Sequence, residues 1–172
     1  SLLESMLSKR DFQGARYTMA CEVAGQEGNN HPTNSPMGVF YTSDGMVNLA
    51  ASTNKMFGAL TTALGQPELA EDEKFRSAKA RIVNRHELWQ SINGITTGMM
   101  TAELVQLANA AGCPCGPIYD IAEAFEDEHV QSLKMRRTTS REETGDFDLV
   151  RSPINIRTFP LSDHFERPGP VL

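Results

Sequence analysis

The strand-forming runs of this chain come in neighbouring pairs, and this constrains its fold more than any other feature. Gly38–Ser43 and Met46–Ala50 flank an Asp-Gly dipeptide, which is typical of a two-residue type I′ hairpin turn. Met135–Thr139 and Phe147–Val150 form a second pair around a Gly-Asp dipeptide. Because paired strands build antiparallel sheets, the order predicts an α+β fold with helices around a small antiparallel sheet.

Helices are predicted for most of the remaining chain. Residues 1–24 form one amphipathic pattern that ends near Gly25, and its buried side consists of Leu3, Met6, Leu7 and Met19. Later helices are predicted from their capping residues, which are Ser52 or Thr53, Asn84 paired with Glu87, Thr101, and Asp120 paired with Glu123. Ile118-Tyr119 and Pro153–Arg157 are predicted to be extended.

The charge balance excludes several classes of partner. The 172 residues carry a formal net charge of −6, whereas a phosphate backbone needs a basic protein surface. Basic residues cluster in Lys74–Arg85 and Lys134–Arg141 among acidic neighbours, which indicates solvated surface. No apolar run reaches the ~18 residues that span a membrane. We therefore expect neither a nucleic acid nor a membrane as partner.

Cysteine and histidine usage points to a reducing compartment without a metal site. Three cysteines in a chain of this length do not form a disulfide framework, so we expect a cytoplasmic protein. Cys113 and Cys115 enclose one proline, which is not the spacing of a redox pair or a zinc site. We interpret this segment as small residues at a tight corner between a helix and a strand.

One loop stands out as a candidate binding site. Residues 25–37 contain almost nothing apolar, and long ordered loops often carry function. Within Asn29–Pro36, hydrogen-bonding side chains alternate with prolines that restrict the backbone. The candidate substrate-binding residues are Asn30, His31, Thr33, Asn34 and Ser35. The alternative is a plain surface loop that joins a helix to a hairpin.

Five segments in a fixed order resemble family III CoA-transferases of the CaiB/BaiF type. They are SLLES (Ser1–Ser5), GNNHPTNSPMGVFYTSDGMVNLAA (Gly28–Ala51), ALGQPELAEDEKF (Ala63–Phe75), ANAAGCPCGPIYDIAEAFEDEHV (Ala108–Val130) and SPINI (Ser152–Ile156). The resemblance covers nearly the whole chain. It implies a transferase that moves CoA between carboxylic acids through an aspartyl-CoA thioester.

The resemblance also implies that the full-length enzyme has two domains with different roles, and that this chain contains only part of it. In such enzymes a large Rossmann-like domain binds CoA and carries the nucleophilic aspartate, and two chains interlock as a homodimer. That aspartate is expected upstream of residue 1, so the chain contains no catalytic residue of its own. We expect acyl-CoA and a carboxylic acid as substrates of the full-length enzyme, no covalently bound cofactor, and inactivity of this chain alone.

The expected domains follow from the same comparison. Residues 1–27 are a helix leading from the missing large domain, residues 28–160 are the smaller α+β domain, and residues 161–172 are a linker back toward the large domain. The resemblance also strengthens the loop hypothesis. Some relatives have a glycine-rich lid at this position, and its absence here argues for substrate contact without lid motion.

Three alternatives remain open at this point. The chain is a non-catalytic binding or assembly module built on the same domain, and associates with itself through an apolar helical surface. It is a racemase-type member of the superfamily, although Thr53 stands near the position where those enzymes place a glutamate. Or the missing half is a separate chain, and the enzyme assembles from two pieces.

Overall fold

The computed structural model describes residues 1–141 and 145–154, and they have the predicted α+β architecture. The chain divides into two compact units, Ser1–Ile118 and Tyr119–Leu172. In the first unit the elements are α1 (Leu2–Ser8), α2 (Asp11–Ala20), β1 (Met37–Tyr41), β2 (Met46–Ala50), α3 (Asn54–Ala63), α4 (Glu68–Glu71), α5 (Ala78–Val83), α6 (Arg85–Thr96), α7 (Thr101–Ala110) and β3 (Cys115–Pro117). The second unit contains α8 (Ile121–Glu126), α9 (Glu128–Ser132), β4 (Arg136–Arg141) and β5 (Gly145–Val150).

Both predicted hairpins are present. β1 and β2 pair antiparallel, and β3 adds to the free edge of β2 to give a sheet of order β1-β2-β3. β4 and β5 form a separate antiparallel pair, but the Gly145-Asp146 dipeptide expected between the strands lies within β5. The extended piece predicted at Ile118-Tyr119 lies just after β3, where the Ile118 N–H continues the ladder by donating to the Met46 carbonyl (2.9 Å). The prediction for Pro153–Arg157 lies partly outside the described residues, and that for residues 161–172 wholly so.

The predicted type I′ turn between β1 and β2 is wrong. Tyr41 pairs with Met46, so four residues connect the strands instead of two. The reason is a tertiary contact of Asp44. Its carboxylate accepts hydrogen bonds from the backbone N–H and the hydroxyl of Thr101, both at 2.7 Å. Asp44 thus supplies the cap for α7, and Thr101 occupies the first helical position instead of capping it.

The core of the first unit lies between one face of the sheet and the helices. Alternate residues of β1 and β2 point into it, as the two-residue period of a strand requires. The largest apolar side chains that are almost fully buried are Phe40, Val47, Leu49, Phe57, Leu60, Leu88, Ile92 and Leu104. Burying each such side chain stabilises the fold by about 1.5–3 kcal/mol. This core holds in place the elements that carry the candidate loop.

The prediction of one buried helix over residues 1–24 is wrong. The chain forms α1 and α2, separated by a tight turn in which the Arg10 N–H donates to the Leu7 carbonyl (3.0 Å). α2 ends where Cys21 adopts a left-handed conformation with φ of 55°. The apolar side chains expected to be buried are exposed, namely Leu3, Met6, Leu7 and Met19. Within the described part of the chain, no apolar surface covers α1.

The predicted helix caps are confirmed at two places. The Thr53 hydroxyl accepts from the Met56 N–H (3.1 Å) at the start of α3. Asp120 and Glu123 form a capping box at α8, with both hydrogen bonds at 2.8 Å. Both signals are local, because the capping side chain and its backbone partner are three residues apart.

The predicted capping box of Asn84 and Glu87 is wrong. α5 ends at Val83, so Asn84 follows one helix and precedes the next. Its amide donates backwards to the Ala80 and Lys74 carbonyls, both at 3.1 Å. Glu87 forms an ion pair with Lys74 instead (2.5 Å). The last carbonyls of a helix lack partners within the helix, and the Asn84 amide donates to one of them in α5. Asn84 is therefore not available as the cap of α6 that the sequence pattern predicted.

The interpretation of both basic clusters as solvated surface is wrong for one arginine in each. Arg81 is fully buried, and Arg137 is only 7% exposed. In the second unit, the Arg137 Nε donates to the Lys134 carbonyl (3.3 Å), and both residues line a cavity of about 360 Å³. No helix among the described residues has the length and apolar character needed to cross a bilayer.

Candidate functional site

The candidate loop folds back against the first strand. The His31 N–H donates to the Met37 carbonyl (3.0 Å), and Asn30 forms an isolated antiparallel bridge with Gly38. The chain therefore passes through the loop first, turns, and returns antiparallel to it as β1. This places the loop side chains at the edge of the sheet that β1 forms.

Gly38 makes this close return possible. Its φ is +156°, and a Cβ built at this position lies 2.4 Å from the Asn29 carbonyl oxygen. Real Cβ atoms do not approach backbone oxygens so closely, so a side chain at this position forces the loop and the strand apart. The glycine that opens the predicted strand thus fixes how near the candidate loop lies.

Arg81 ties the end of the loop to the core. Its guanidinium donates to the carbonyls of Ser35 (2.9 Å), Ser52 (2.7 Å) and Phe75 (2.9 Å) and to the Asn54 side-chain oxygen (3.0 Å). It also lies over the Phe57 ring, 4.7 Å from the centroid. Burial lowers the pKa of this guanidinium. Oxygen acceptors and an aromatic face offset the cost of burying the charge.

Arg85 holds the middle of the loop from the next helix. Its Nη2 donates to the Pro32 carbonyl (2.9 Å), and its Nη1 forms an ion pair with Glu27 (2.7 Å). Arg81 and Arg85 thus bind two carbonyls of the same loop, at Ser35 and Pro32. The loop is therefore attached to α5 and α6 at two points.

The His31 ring stacks on another aromatic ring, and one of its nitrogens accepts a hydrogen bond. The ring stacks on Phe12 of α2, with centroids 5.6 Å apart and planes 7° from parallel. Its Nδ1 lies 3.2 Å from the Thr33 backbone N–H, and a neutral ring that accepts there carries its proton on Nε2. In that tautomer, Nε2–H is a donor that the loop presents to its surroundings.

The structure brings four of the five predicted site residues together. Asn30, His31, Asn34 and Ser35 line one small cavity, which Arg85 and Trp89 also line. Its volume of about 10 Å³ is close to what one water molecule needs. Thr33 is exposed and does not line it. Ser35 is buried, and its carbonyl binds Arg81, so its backbone has a structural role.

A larger cleft adjoins this cavity. It has a volume of about 320 Å³ and is lined by Asn30, Arg85, His86 and Trp89. The last three residues were not among the predicted site residues. The available signal was their spacing. Arg85 and Trp89 are four residues apart and share one face of α6, and His86 is adjacent to that face.

Trp89 has a fixed orientation in this cleft. Its indole N–H donates to the Val39 carbonyl (2.9 Å), and its ring meets the Tyr41 ring edge to face at 5.9 Å. The indole is half-buried, so one part of it packs inward and another lines the cleft. The site therefore combines a rigid aromatic wall with amide, imidazole and guanidinium donors. Donor groups beside an aromatic wall are chemically suited to a carboxylate or carbonyl oxygen attached to a short apolar group.

The cysteine segment has the structural role predicted for it. Cys113 is buried, and its thiol donates to the Met56 carbonyl (3.2 Å). Burial, with a further contribution from Cys113, raises the pKa of the Cys115 thiol from 9.0 to about 11. A thiol in this state is protonated at neutral pH and is a poor nucleophile. Neither residue is a candidate for covalent catalysis.

Known proteins similar to this chain are CoA-transferases. The chain is 34% identical over 145 residues to the succinate–glutarate CoA-transferase of Agrobacterium fabrum, which covers 84% of this chain and 36% of that protein. It is 28% identical to the succinyl-CoA–L-malate CoA-transferase beta subunit of Chloroflexus aurantiacus, over 96% of this chain and 44% of that protein.

A solved structure agrees with these sequence matches. The crystal structure of a CaiB/BaiF family protein from Brucella suis superposes with a TM-score of 0.79 at 27% identity, over 94% of this chain and 41% of that one. The chain thus spans about two fifths of the length of the proteins it matches. A sequence model of CoA-transferase family III matches residues 1–172. The chain belongs to CoA-transferase family III.

Proposed function

We propose that this chain forms one wall of the acyl site in an enzyme that moves CoA between carboxylic acids. The observation that carries the proposal is the loop of residues 29–36, held in place by Arg81 and Arg85 beside the cleft at Trp89. The substrates are an acyl-CoA and a free carboxylic acid. The names of its relatives support short dicarboxylic acids, among them succinate, glutarate and L-malate.

The covalent chemistry of the proposed reaction needs a carboxylate that the cleft does not contain. An aspartate attacks the thioester carbonyl, which forms a mixed anhydride and releases the CoA thiolate. The thiolate then attacks the aspartyl carbonyl, giving an aspartyl-CoA thioester and the free donor acid. The acceptor acid reverses these two steps and leaves with CoA. The residues that line the cleft include no aspartate, so the proposal needs a nucleophile from outside the cleft.

A chimera tests this proposal. Residues 28–154 replace the matching stretch of the Agrobacterium fabrum relative, and CoA transfer from succinyl-CoA to glutarate is measured. A misplacement of about 1 Å costs about a hundredfold in rate, so we expect kcat/KM within about a hundredfold of the parent. The 172-residue chain alone is expected to show no transfer. Turnover by the chain alone, or a folded chimera without activity, contradicts the proposal.

A second candidate function is self-association through α1 and α2. Leu2, Leu7 and Met19 are 81%, 62% and 85% exposed, and contiguous exposed apolar surface marks interaction sites. A module that assembles with a second copy covers them. Light scattering tests this alternative, because a monomer at high protein concentration contradicts it. A Leu2→Ser and Leu7→Ser variant is expected to shift any dimer toward monomer.

The racemase alternative has less support. The Thr53 hydroxyl caps α3, and a threonine side chain does not exchange protons near neutral pH as a carboxylate does. We also propose a cytoplasmic location. Its support is that Cys21, Cys113 and Cys115 are all free thiols, as proteins in a reducing compartment commonly have.

A further inference from the structure

We infer that the cleft beside Trp89 binds the far carboxylate of a dicarboxylic acid, and that His86 recognises it. The inference rests on the proposed function, since it assigns one end of the acid substrate to a place in this chain. The residues that carry it are Asn30, Arg85, His86 and Trp89, which line the cleft together. Of these, only Asn30 belongs to the loop predicted from the sequence.

The size of the cleft limits what it can hold. Its volume of about 320 Å³ lies at the lower end of the 300–1,000 Å³ typical of small-molecule sites. A short dicarboxylic acid fits in such a space, and an entire CoA molecule does not. The cleft is also open to solvent at exposed Asn30 and His86, so an acid enters without a rearrangement of the core.

The charges favour one added carboxylate. Three N–H groups of Arg85 are used by the Ile82 and Pro32 carbonyls and by Glu27, and a guanidinium has five. The Glu27 carboxylate offsets the charge of Arg85, which leaves the pair neutral. His86 adds a further donor and, when protonated, a positive charge. A carboxylate there gains charge-assisted hydrogen bonds from His86 and from the remaining N–H groups of Arg85.

The Trp89 indole favours a ligand with methylene groups between its two carboxylates. The indole is held by its bond to the Val39 carbonyl and by the Tyr41 ring, so it presents a rigid face at low entropic cost. Methylene groups pack on such a face. A ligand with an oxyanion at one end, a short aliphatic chain and a second carboxylate for transfer matches this arrangement.

The chain provides its own reporter for this test, because Trp89 is its only tryptophan. The purified chain is titrated with glutarate, and separately with glutaramide, the neutral diamide of the same chain length. We expect a saturable change of tryptophan fluorescence with glutarate and at least tenfold weaker binding of glutaramide, since a hydrogen bond to a charged group is worth about that factor. Equal responses to glutarate and glutaramide overturn the inference.

Two histidine variants separate recognition by His86 from a general charge effect. His86→Ala is expected to weaken glutarate binding about tenfold and to change glutaramide binding less. His129→Ala removes another exposed histidine from the second unit and serves as the matched control. Both positions are exposed, so neither change disturbs the core. Unchanged glutarate binding by His86→Ala overturns the inference.

The binding titration and the transfer assay of the chimera test the two proposals independently. Selective glutarate binding by the chain together with an inactive chimera contradicts the proposed function and supports the acid site. An active chimera together with binding that does not distinguish glutarate from glutaramide contradicts only the site assigned to His86.

Discussion

The carboxylate of Asp44 binds both the backbone N–H and the hydroxyl of Thr101, each at 2.7 Å, and thereby joins the β1–β2 hairpin to the start of α7. The same carboxylate accepts from the Thr42 hydroxyl (3.2 Å). One aspartate thus sets the shape of a hairpin connection and supplies the cap of a helix 57 residues further along the chain.

This contact predicts a pH dependence of stability. The hydrogen bond from the Thr101 hydroxyl is the main cause that lowers the pKa of Asp44 from its usual 3.8. A lowered folded-state pKa gives stability that is present above the ordinary value and is lost as the pH falls through the lowered one. We expect wild type to exceed Asp44→Ala in Tm near neutral pH, and the difference to shrink below about pH 4. A Tm difference between wild type and Asp44→Ala that stays constant down to strongly acidic pH contradicts this account. Glu126→Ala, at an exposed carboxylate, is the control.

Arg81 is predicted to be the most sensitive charged residue for stability. Arg81→Met leaves three buried carbonyls and the Asn54 oxygen without their donor. Each unsatisfied buried acceptor costs about 1–3 kcal/mol. Because several acceptors lose their donor together, we expect the free energy of unfolding to fall by about 3 kcal/mol or more. Urea denaturation measures it. Arg76→Met, at an exposed arginine, should change it by less than about 0.5 kcal/mol, and similar effects of the two variants contradict the role of Arg81.

Two glycines are predicted to respond oppositely to alanine. Gly38→Ala places a Cβ against the Asn29 carbonyl oxygen, so we expect a loss of stability of about 1–3 kcal/mol. Gly58 lies within α3 with open space around its Cβ position, and Gly58→Ala should stabilise the chain by about 0.5–1 kcal/mol. Thermal unfolding of the two variants checks both signs. A neutral Gly38→Ala shows that the loop does not depend on close approach to β1.

The three thiols are predicted to react at different rates in the folded protein. Cys21 is exposed, whereas Cys113 is buried, and burial raises the pKa of Cys115 to about 11. Two pKa units correspond to about a hundredfold less thiolate than at an ordinary cysteine. Alkylation with iodoacetamide at mildly alkaline pH, followed by peptide mass analysis, should label Cys21 first and leave the other two until the chain unfolds. Equal labelling of Cys21 and Cys115 contradicts the buried corner.

The sequence was sufficient for those features whose causes are local. The hairpin pairs, the Thr53 cap and the capping box of Asp120 with Glu123 each depend on residues a few positions apart, and the structure contains them all. Strand-forming composition and cap chemistry indicate where these elements lie, whereas the Asp-Gly turn signal did not predict the connection between β1 and β2.

The features that the sequence did not predict depend on distant partners. Arg81 binds the carbonyl of a residue 46 positions away, and Arg85 binds one 53 positions away. The spacing of a basic cluster does not indicate that two of its arginines donate hydrogen bonds to carbonyls of a loop earlier in the chain. For the same reason the cleft at His86 and Trp89 was missed, since only the folded chain brings α6 next to Asn30. The apolar pattern of residues 1–24 was visible, but its exposure was not.

The most direct test of the central claim is the KM for the acid acceptor in the chimera when Asn30 is replaced. Asn30 lines both the small cavity and the cleft, and its side chain is exposed. We predict that Asn30→Ala raises this KM about tenfold, while Gln106→Ala on α7 does not alter it. An unchanged acceptor KM in Asn30→Ala would contradict the claim that this loop contacts the acid.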